Sequence, residues 1–246
     1  MFAFNNEKLE CVSRYKYLGE YFSSSGSFSC AQNELYKKSL KAFIKLKKDL
    51  LSLNPSITSI HVFDHIIKPI LLYGSEIWGI FNPFTAKCKK EQLSFYDIYS
   101  GLFSEKLHLK FGKFILGVHK KTTNIAVMSE LGRFPLYFNI IKGMLSYCYR
   151  LENLGNNFPL LTDPYDESKM SHLSKKPSWY GSINLILKIL RSDSGKDISL
   201  LFNESPGKFK NNIHIILKSL FIIEWRKQLS SFLIVNLNNI IFVNKF

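Results

Sequence analysis

The pattern of apolar and polar positions predicts a mainly α-helical protein that begins with a small antiparallel β-hairpin or sheet. Aromatic residues are frequent in residues 15–22, which predicts one short strand, and the Ser-rich turn that follows contains Gly26. Short strands at residues 2–4 and 9–12 could pair with it in a small antiparallel sheet. From residue 27 onward, apolar residues recur every three to four positions, the spacing of helices that bury one face. We therefore predict a hairpin over residues 1–26 and helices over most of the remaining chain.

The same pattern divides the helical part of the chain. Residues 27–155 predict a helical bundle whose second helix runs from Ile57 to Trp78 and is kinked at Pro69, because proline removes a backbone donor. Residues 156–180 are polar and contain prolines, which predicts a linker. Residues 181–246 predict a further helical region at the C-terminus.

The first predicted helix, from about residue 29 to Leu53, has one apolar face and one basic face. The apolar face is predicted to contain Ala31, Leu35, Tyr36, Leu40, Ala42, Phe43, Leu46, Leu50 and Leu53. The basic face, which we call the lysine stripe, consists of Lys37, Lys41, Lys45 and Lys48, with Lys38 at its edge. Because Glu34 and Asp49 are the only acids nearby, we expect the stripe to be unpaired and to face phosphates. A merely solvated face is the alternative.

A third helical region is predicted from Glu91 to Leu116, with a break near Gly101. Its buried positions are predicted to be Leu107, Phe111, Phe114 and Val118. A neighbouring row of Lys106, Lys110 and Lys113, the second lysine row, is a further candidate for phosphate contacts.

Composition and charge narrow the class of partner. The 246 residues carry a formal net charge of +14, and a folded chain this basic commonly meets a polyanion such as nucleic acid. An inert basic surface is the alternative. Cys11, Cys30, Cys88 and Cys148 form no CxxC pair, which indicates reduced thiols of an intracellular protein, nuclear or cytoplasmic. The N-terminus lacks a signal sequence and the apolar runs are short, so no membrane span is expected.

Several blocks of the sequence resemble, in the same order, the region after the catalytic palm of non-LTR retrotransposon (LINE-type) reverse transcriptases. The first block is Tyr17-Leu18-Gly19 with the following Ser-rich turn and Gly26-Ser27-Phe28. The strongest is the run from Phe63 to Gly79, which contains a Pro-Ile-Leu-Leu-Tyr-Gly-Ser-Glu-Ile-Trp-Gly string typical of the family's thumb. Residues 111–118 and 122–136 resemble the next two blocks. The resemblance covers residues 8–153 and does not extend to the atypical residues 232–246.

The resemblance implies a role in holding a primer–template duplex of RNA and DNA. Tyr17, Leu18 and Gly19 would belong to the primer-grip hairpin, and the lysine stripe would contact phosphates from a helical thumb. Phosphate contacts of this kind position a duplex without reading its sequence. The natural partners would then be the duplex and the missing palm and fingers of the parent enzyme, while the oligomeric state stays open.

Catalytic residues of the parent RNA-directed DNA polymerase are not expected in this chain. Polymerase chemistry needs paired metal ions held by aspartates, and the sequence has no Asp-Asp dipeptide. We therefore expect a truncated, non-catalytic fragment with no metal site and no cofactor. A helical protein-interaction module without nucleic-acid function is the alternative, and an enzyme of another type is a third possibility. Steep weakening of binding by salt would distinguish phosphate contacts from apolar association.

Overall fold

The computed structural model describes residues 3–4, 7–8, 12–51, 57–79, 95, 99, 101–154, 158–195 and 198–243. Within this range the chain is mainly helical and begins with antiparallel strand pairs, so the predicted fold class is confirmed. The chain divides into two compact units, Met1–Gly74 and Ser75–Phe246. This division differs from the segments expected from the sequence, because residues 27–155 fall into both units.

The first unit starts with two separate antiparallel pairs of strands. Strand β1 (Ala3–Phe4) pairs with β2 (Glu7–Lys8), and β3 (Arg14–Tyr17) pairs with β4 (Glu20–Ser23). The sequence predicted a single strand over residues 15–22, whereas the structure divides this segment into two paired strands joined at Leu18-Gly19. Strand β4 packs against the helix that follows it.

Helix α1 (Ser29–Leu51) is the long basic helix predicted from the sequence. Its buried positions are Ala31, Leu35, Ser39 and Phe43, which follow one another at four-residue spacing. The predicted apolar face was too broad: Tyr36, Leu40, Ala42 and Leu46 are only half-buried, while Ser39 is fully buried. Leu50 and Leu53 lie outside the described side chains.

The helix predicted from Ile57 to Trp78 is divided, but not at Pro69: the chain stays helical to Leu71, and a turn over residues 72–74 precedes the short helix Ser75–Trp78. Helix α2 (Ile57–Val62) passes through a π-helical turn, Phe63–Ile67, into the short helix α3 (Lys68–Leu71). Pro69 stands in the first turn of α3, where its missing N–H costs nothing. Phe63, Ile67 and Leu71 are buried, while Ile60 and Ile70 are half-buried.

The second unit is built around one central helix. Its elements in chain order are α4 (Ser75–Trp78), α5 (Phe103–Ile115), α6 (Asn124–Glu130), α7 (Tyr137–Glu152), α8 (Pro159–Leu173), α9 (Trp179–Ser194), a 3-10 turn (Ile198–Asn203) and α10 (Pro206–Val243). Helix α7 contacts α4, α8, α9 and α10. The core side chains of α7 are Ile140, Ile141, Met144, Leu145, Cys148 and Leu151, all buried.

Two expectations about this unit need correction. The segment 156–180, predicted to be a polar linker, contains helix α8, because the buried Tyr165 anchors it to α7. Of the predicted apolar stripe on α5, Leu107 and Phe111 are fully buried, but Phe114 is half-buried and Val118 is exposed beyond the end of the helix. Residues 91–94, 96–98 and 100 of that predicted helix lie outside the described residues.

The remaining general expectations concern thiols and membranes. Cys148 is buried and Cys30 half-buried, and both are free thiols. Burial raises the pKa of Cys148 to about 11, which keeps its thiol protonated. Cys11 and Cys88 lie outside the described residues. Among the helices that the structure describes, none combines enough length with enough apolar character to span a bilayer.

Candidate nucleic-acid interface

The tip of the β3–β4 hairpin is a two-residue turn made by Leu18 and Gly19. Their φ angles are +46° and +90°, so both occupy the left-handed region that this kind of tight hairpin turn requires. Glycine adopts this region freely, whereas a bulky Leu does so at a cost. The Leu18 side chain is 75 % exposed at the tip. The turn therefore presents an apolar side chain outward on a constrained backbone.

Tyr73 holds this turn against the helices of the first unit. Its hydroxyl donates a 2.8 Å hydrogen bond to the carbonyl oxygen of Leu18, 55 residues away in the chain. A Cβ atom added to Gly19 would lie 3.7 Å from Cε1 of the Tyr73 ring. The contact joins two blocks that the sequence analysis treated separately. Tyr73 is itself half-exposed, whereas Trp78 is buried.

The two faces of the hairpin differ in chemistry. The strand register places Tyr15, Tyr17 and Phe22 on one face, and their exposed fractions are 60 %, 56 % and 44 %. The opposite face includes Arg14 and Lys16, with the Lys16 Nζ atom 5.6 Å from the centre of the Tyr21 ring. The hairpin thus presents an open aromatic face and a basic one.

The lysine stripe lies on the side of α1 opposite its buried residues. Lys37, Lys38, Lys41, Lys45 and Lys48 are all exposed. One expectation is corrected: Lys37 forms a 2.7 Å ion pair with Glu34 one turn earlier. Their hydrogen bond raises the pKa of Lys37 and lowers that of Glu34. Within the described residues, the other four lysines of the stripe have no ion-pair partner, so they remain available to phosphates.

The second lysine row belongs to α5 in the other unit and is less uniform. The Nζ atom of Lys113 donates a 2.8 Å hydrogen bond to the carbonyl oxygen of Lys120, which closes the loop after the helix. The Nζ atom of Lys106 lies 5.3 Å from the centre of the Phe103 ring. Lys106 and Lys110 are exposed and Lys113 is half-buried. The side chain of Lys113 therefore primarily stabilises this loop, rather than serving as a phosphate contact.

Positive charge is not confined to the lysine stripe. Residues 1–74 contain ten Lys and Arg against six Asp and Glu, a formal charge of +4, while residues 75–246 contain 23 against 13, or +10. Any measurement of nucleic-acid binding must therefore separate the stripe from the charge of the second unit.

A buried polar cluster in the second unit was not predicted from the sequence. The Glu105 carboxylate accepts a 2.6 Å hydrogen bond from the backbone N–H of Tyr137, at the start of α7. The Nε atom of Arg133 donates a 2.9 Å hydrogen bond to Nε2 of His108, whose Nδ1 lies 4.0 Å from the carboxylate. Burial raises the pKa of Glu105 to about 8, although backbone hydrogen bonds from Tyr137 and Leu136 oppose the rise. Since 32 residues separate the partners of the helix cap, no local pattern could reveal it.

The described part of the chain contains no candidate metal-binding site. Among those residues, no three His, Cys, Asp or Glu side chains lie close enough together to hold an ion. Three comparisons with known proteins also gave no guide to function. The chain matches no protein-family model, no curated protein and no solved structure.

Proposed function

We propose that the first unit grips a primer–template duplex of RNA and DNA, as the primer-grip hairpin and thumb of a non-LTR reverse transcriptase would. The observation that carries this proposal is the row of exposed lysines on α1, opposite the residues by which that helix packs. Lys41, Lys45 and Lys48 recur at spacings of four and three, so they project from one side of the helix. A cationic row on a rigid helix suits a regularly spaced polyanion.

The hairpin gives this proposal its second support. Tyr17, Leu18 and Gly19 are held to the same unit by Tyr73, so the hairpin tip and the lysine stripe belong to one folded body. In this proposal the tip approaches the primer end while the stripe contacts phosphates. The sequence has no Asp-Asp dipeptide of the kind that holds the metal ions of a polymerase, and in this proposal the palm and fingers of a reverse transcriptase would be the protein partners of the chain.

The test is the salt dependence of duplex binding by the full chain. Each neutralised phosphate contributes roughly 0.9 to the slope of log affinity against log salt, so a four-lysine contact contributes roughly 3 to 4. Replacing Lys41 and Lys45 by Gln should lower the slope by about 2 and weaken binding to all sequences alike. Helix α1 should survive, since Gln is a comparable helix former.

The matched control is the pair Lys208→Gln and Lys210→Gln. Both lysines are exposed in the first turns of α10, so this double variant loses the same charge from the other unit. We expect it to retain the slope of the unmodified chain. Equal losses in the two double variants would mean that binding follows total charge, which contradicts a specific role for the stripe.

A specific observation also favours the alternative, a protein-interaction module. Tyr15, Tyr17 and Phe22 expose an aromatic face that a protein partner could cover. Such docking would depend weakly on salt and would be lost on replacing Tyr15 and Phe22 by Ser, while the Lys41 and Lys45 changes would leave it intact. The same binding series therefore separates the two functions.

A further inference from the structure

The second unit contains an open cleft of about 670 Å³ between α7, α9 and the 3-10 turn. This volume lies within the range of sites for small ligands, roughly 300–1,000 Å³. The residues that matter for its chemistry are Tyr180, Asn184, Lys188, Arg191, Phe202 and Asn203. None of them belongs to the lysine stripe, to the second lysine row or to the hairpin.

One side of the cleft is a basic and polar face of α9. Asn184, Lys188 and Arg191 follow at spacings of four and three, so one side of the helix directs all three toward the cleft. Lys188 and Arg191 are exposed. A lysine and an arginine one turn apart suit a phosphate group, since Arg donates in a fork and Lys acts as a point charge.

The acidic side chain in the cleft wall, Glu152, already has a hydrogen-bond partner and an ion-pair partner. Glu152 accepts a 2.5 Å hydrogen bond from the Tyr165 hydroxyl and lies 3.1 Å from the Nζ atom of Lys169. Among the described lining residues, it is the one acidic side chain. Along the described lining, Lys188 and Arg191 give two basic side chains against this one acidic side chain, which is itself paired, and this balance favours an anionic ligand.

Two aromatic rings, Phe202 and Tyr180, also line the cleft, and each of them packs against other aromatic rings. The Phe202 ring packs edge-on against Phe209 at 5.1 Å, and the Tyr149 ring lies 6.2 Å from it. The Tyr180 ring packs edge-on against Tyr165 at 5.8 Å. Both Phe202 and Tyr180 are half-buried, so each ring is held in place and still open to the cleft. Such rings offer stacking surfaces to a planar base.

We propose that this cleft binds a nucleoside monophosphate unit. The phosphate lies at Lys188 and Arg191, and the base stacks on Phe202 or Tyr180. The amides of Asn184 and Asn203 supply the paired donors and acceptors that a base edge needs. This site is additional to the proposed duplex grip and does not depend on it.

The test is calorimetric titration of the full chain with adenosine monophosphate, adenosine and inorganic phosphate. We expect the monophosphate to bind at least tenfold more tightly than either part alone, because the cleft holds both parts at once. Lys188→Gln should weaken monophosphate binding about tenfold and leave adenosine binding unchanged. Asn184→Asp, which replaces an amide at the base edge by a carboxylate one turn from Lys188, should weaken it further.

The control is Lys176→Gln, which removes an equally exposed lysine from the loop before α9. The cleft proposal is overturned if this variant loses as much affinity as Lys188→Gln, or if inorganic phosphate binds as tightly as the monophosphate. A variant that replaces Lys41 and Lys45 by Gln should bind the monophosphate normally. If that variant loses duplex binding but keeps monophosphate binding, the result concerns the lysine stripe and does not affect the cleft proposal.

Discussion

Replacing Glu105 by Gln is expected to stabilise the protein increasingly as the pH rises from 5 to 8. The pKa of Glu105 in the folded chain is about 8, against an ordinary value of 4.5. The folded state therefore favours the protonated carboxyl, and stability that is full below pH 4.5 is lost as the pH rises through 8. The loss amounts to about 1.4 kcal/mol for each pH unit inside that window.

The Gln side chain retains the hydrogen-bond acceptor through which Glu105 contacts the start of α7. Its amide oxygen can still accept the hydrogen bond from the Tyr137 N–H, so the start of α7 remains capped. Between pH 5 and pH 8 the difference in unfolding free energy should grow to at most about 4 kcal/mol. Urea unfolding of both proteins at pH 5, 6, 7 and 8 measures it.

Glu130→Gln is the matched control for this prediction. Glu130 is exposed on α6 of the same unit, so its replacement removes the same charge without a burial penalty. The unfolding free energy of this control should equal that of the unmodified chain at every pH. Stability curves for Glu105→Gln that run parallel to the unmodified chain would show that the Glu105 carboxyl is not kept neutral by burial.

Replacing Gly79 by Ala is expected to destabilise the second unit by roughly 1–3 kcal/mol or more. A Cβ atom at this position would lie 2.4 Å from the backbone oxygen of Ser75, 2.4 Å from Cγ2 of Ile140 and 2.7 Å from Sδ of Met144. The backbone oxygen cannot rotate away, and Ile140 and Met144 are fully buried in α7. Relief therefore requires α4 to shift against the central helix.

Gly143→Ala provides a control with the opposite expected sign. Gly143 lies within α7, and a Cβ atom there would have no heavy atom within 4 Å. Alanine is the better helix former, by roughly 0.8–1 kcal/mol, so this variant should be slightly more stable. The two single-residue changes, compared by thermal unfolding, separate steric crowding from the general effect of losing a glycine. A Gly79→Ala chain as stable as its parent would contradict the packing described for α4 and α7.

Local signals in the sequence were sufficient for the elements whose structure is decided locally. Helix α1 follows from its helical spacing, and extended structure over residues 14–22 follows from the aromatic residues, but the turn at Leu18-Gly19 that makes this segment a hairpin was not predicted. Predicting α1 needs no knowledge of distant residues. Pro69, by contrast, does not divide its helix, because the chain stays helical through this residue and the division lies at residues 72–74.

The features that were missed depend on contacts between distant residues. Helix α8 lies in a polar sequence and is held by Tyr165, which contacts Glu152 and Cys148 on α7. The Tyr73 bond to Leu18 spans 55 residues. The ion pair of Lys37 with Glu34 is local, but the sequence alone did not indicate whether the side chains would meet. Periodicity shows which face of a helix is apolar and does not show which neighbour covers it.

The exposed lysines of α1 are the core of the functional proposal, and photo-cross-linking tests their contact with nucleic acid most directly. A benzoylphenylalanine placed at Lys45 lies within the stripe. The same group at Lys47 is also exposed but, at 100° per residue, points about 200° around the helix. Irradiated with a primer–template duplex, the chain labelled at position 45 should cross-link and the chain labelled at position 47 should not. Equal cross-linking from both positions, or cross-linking from position 47 alone, would contradict the proposal that the lysine stripe grips the duplex.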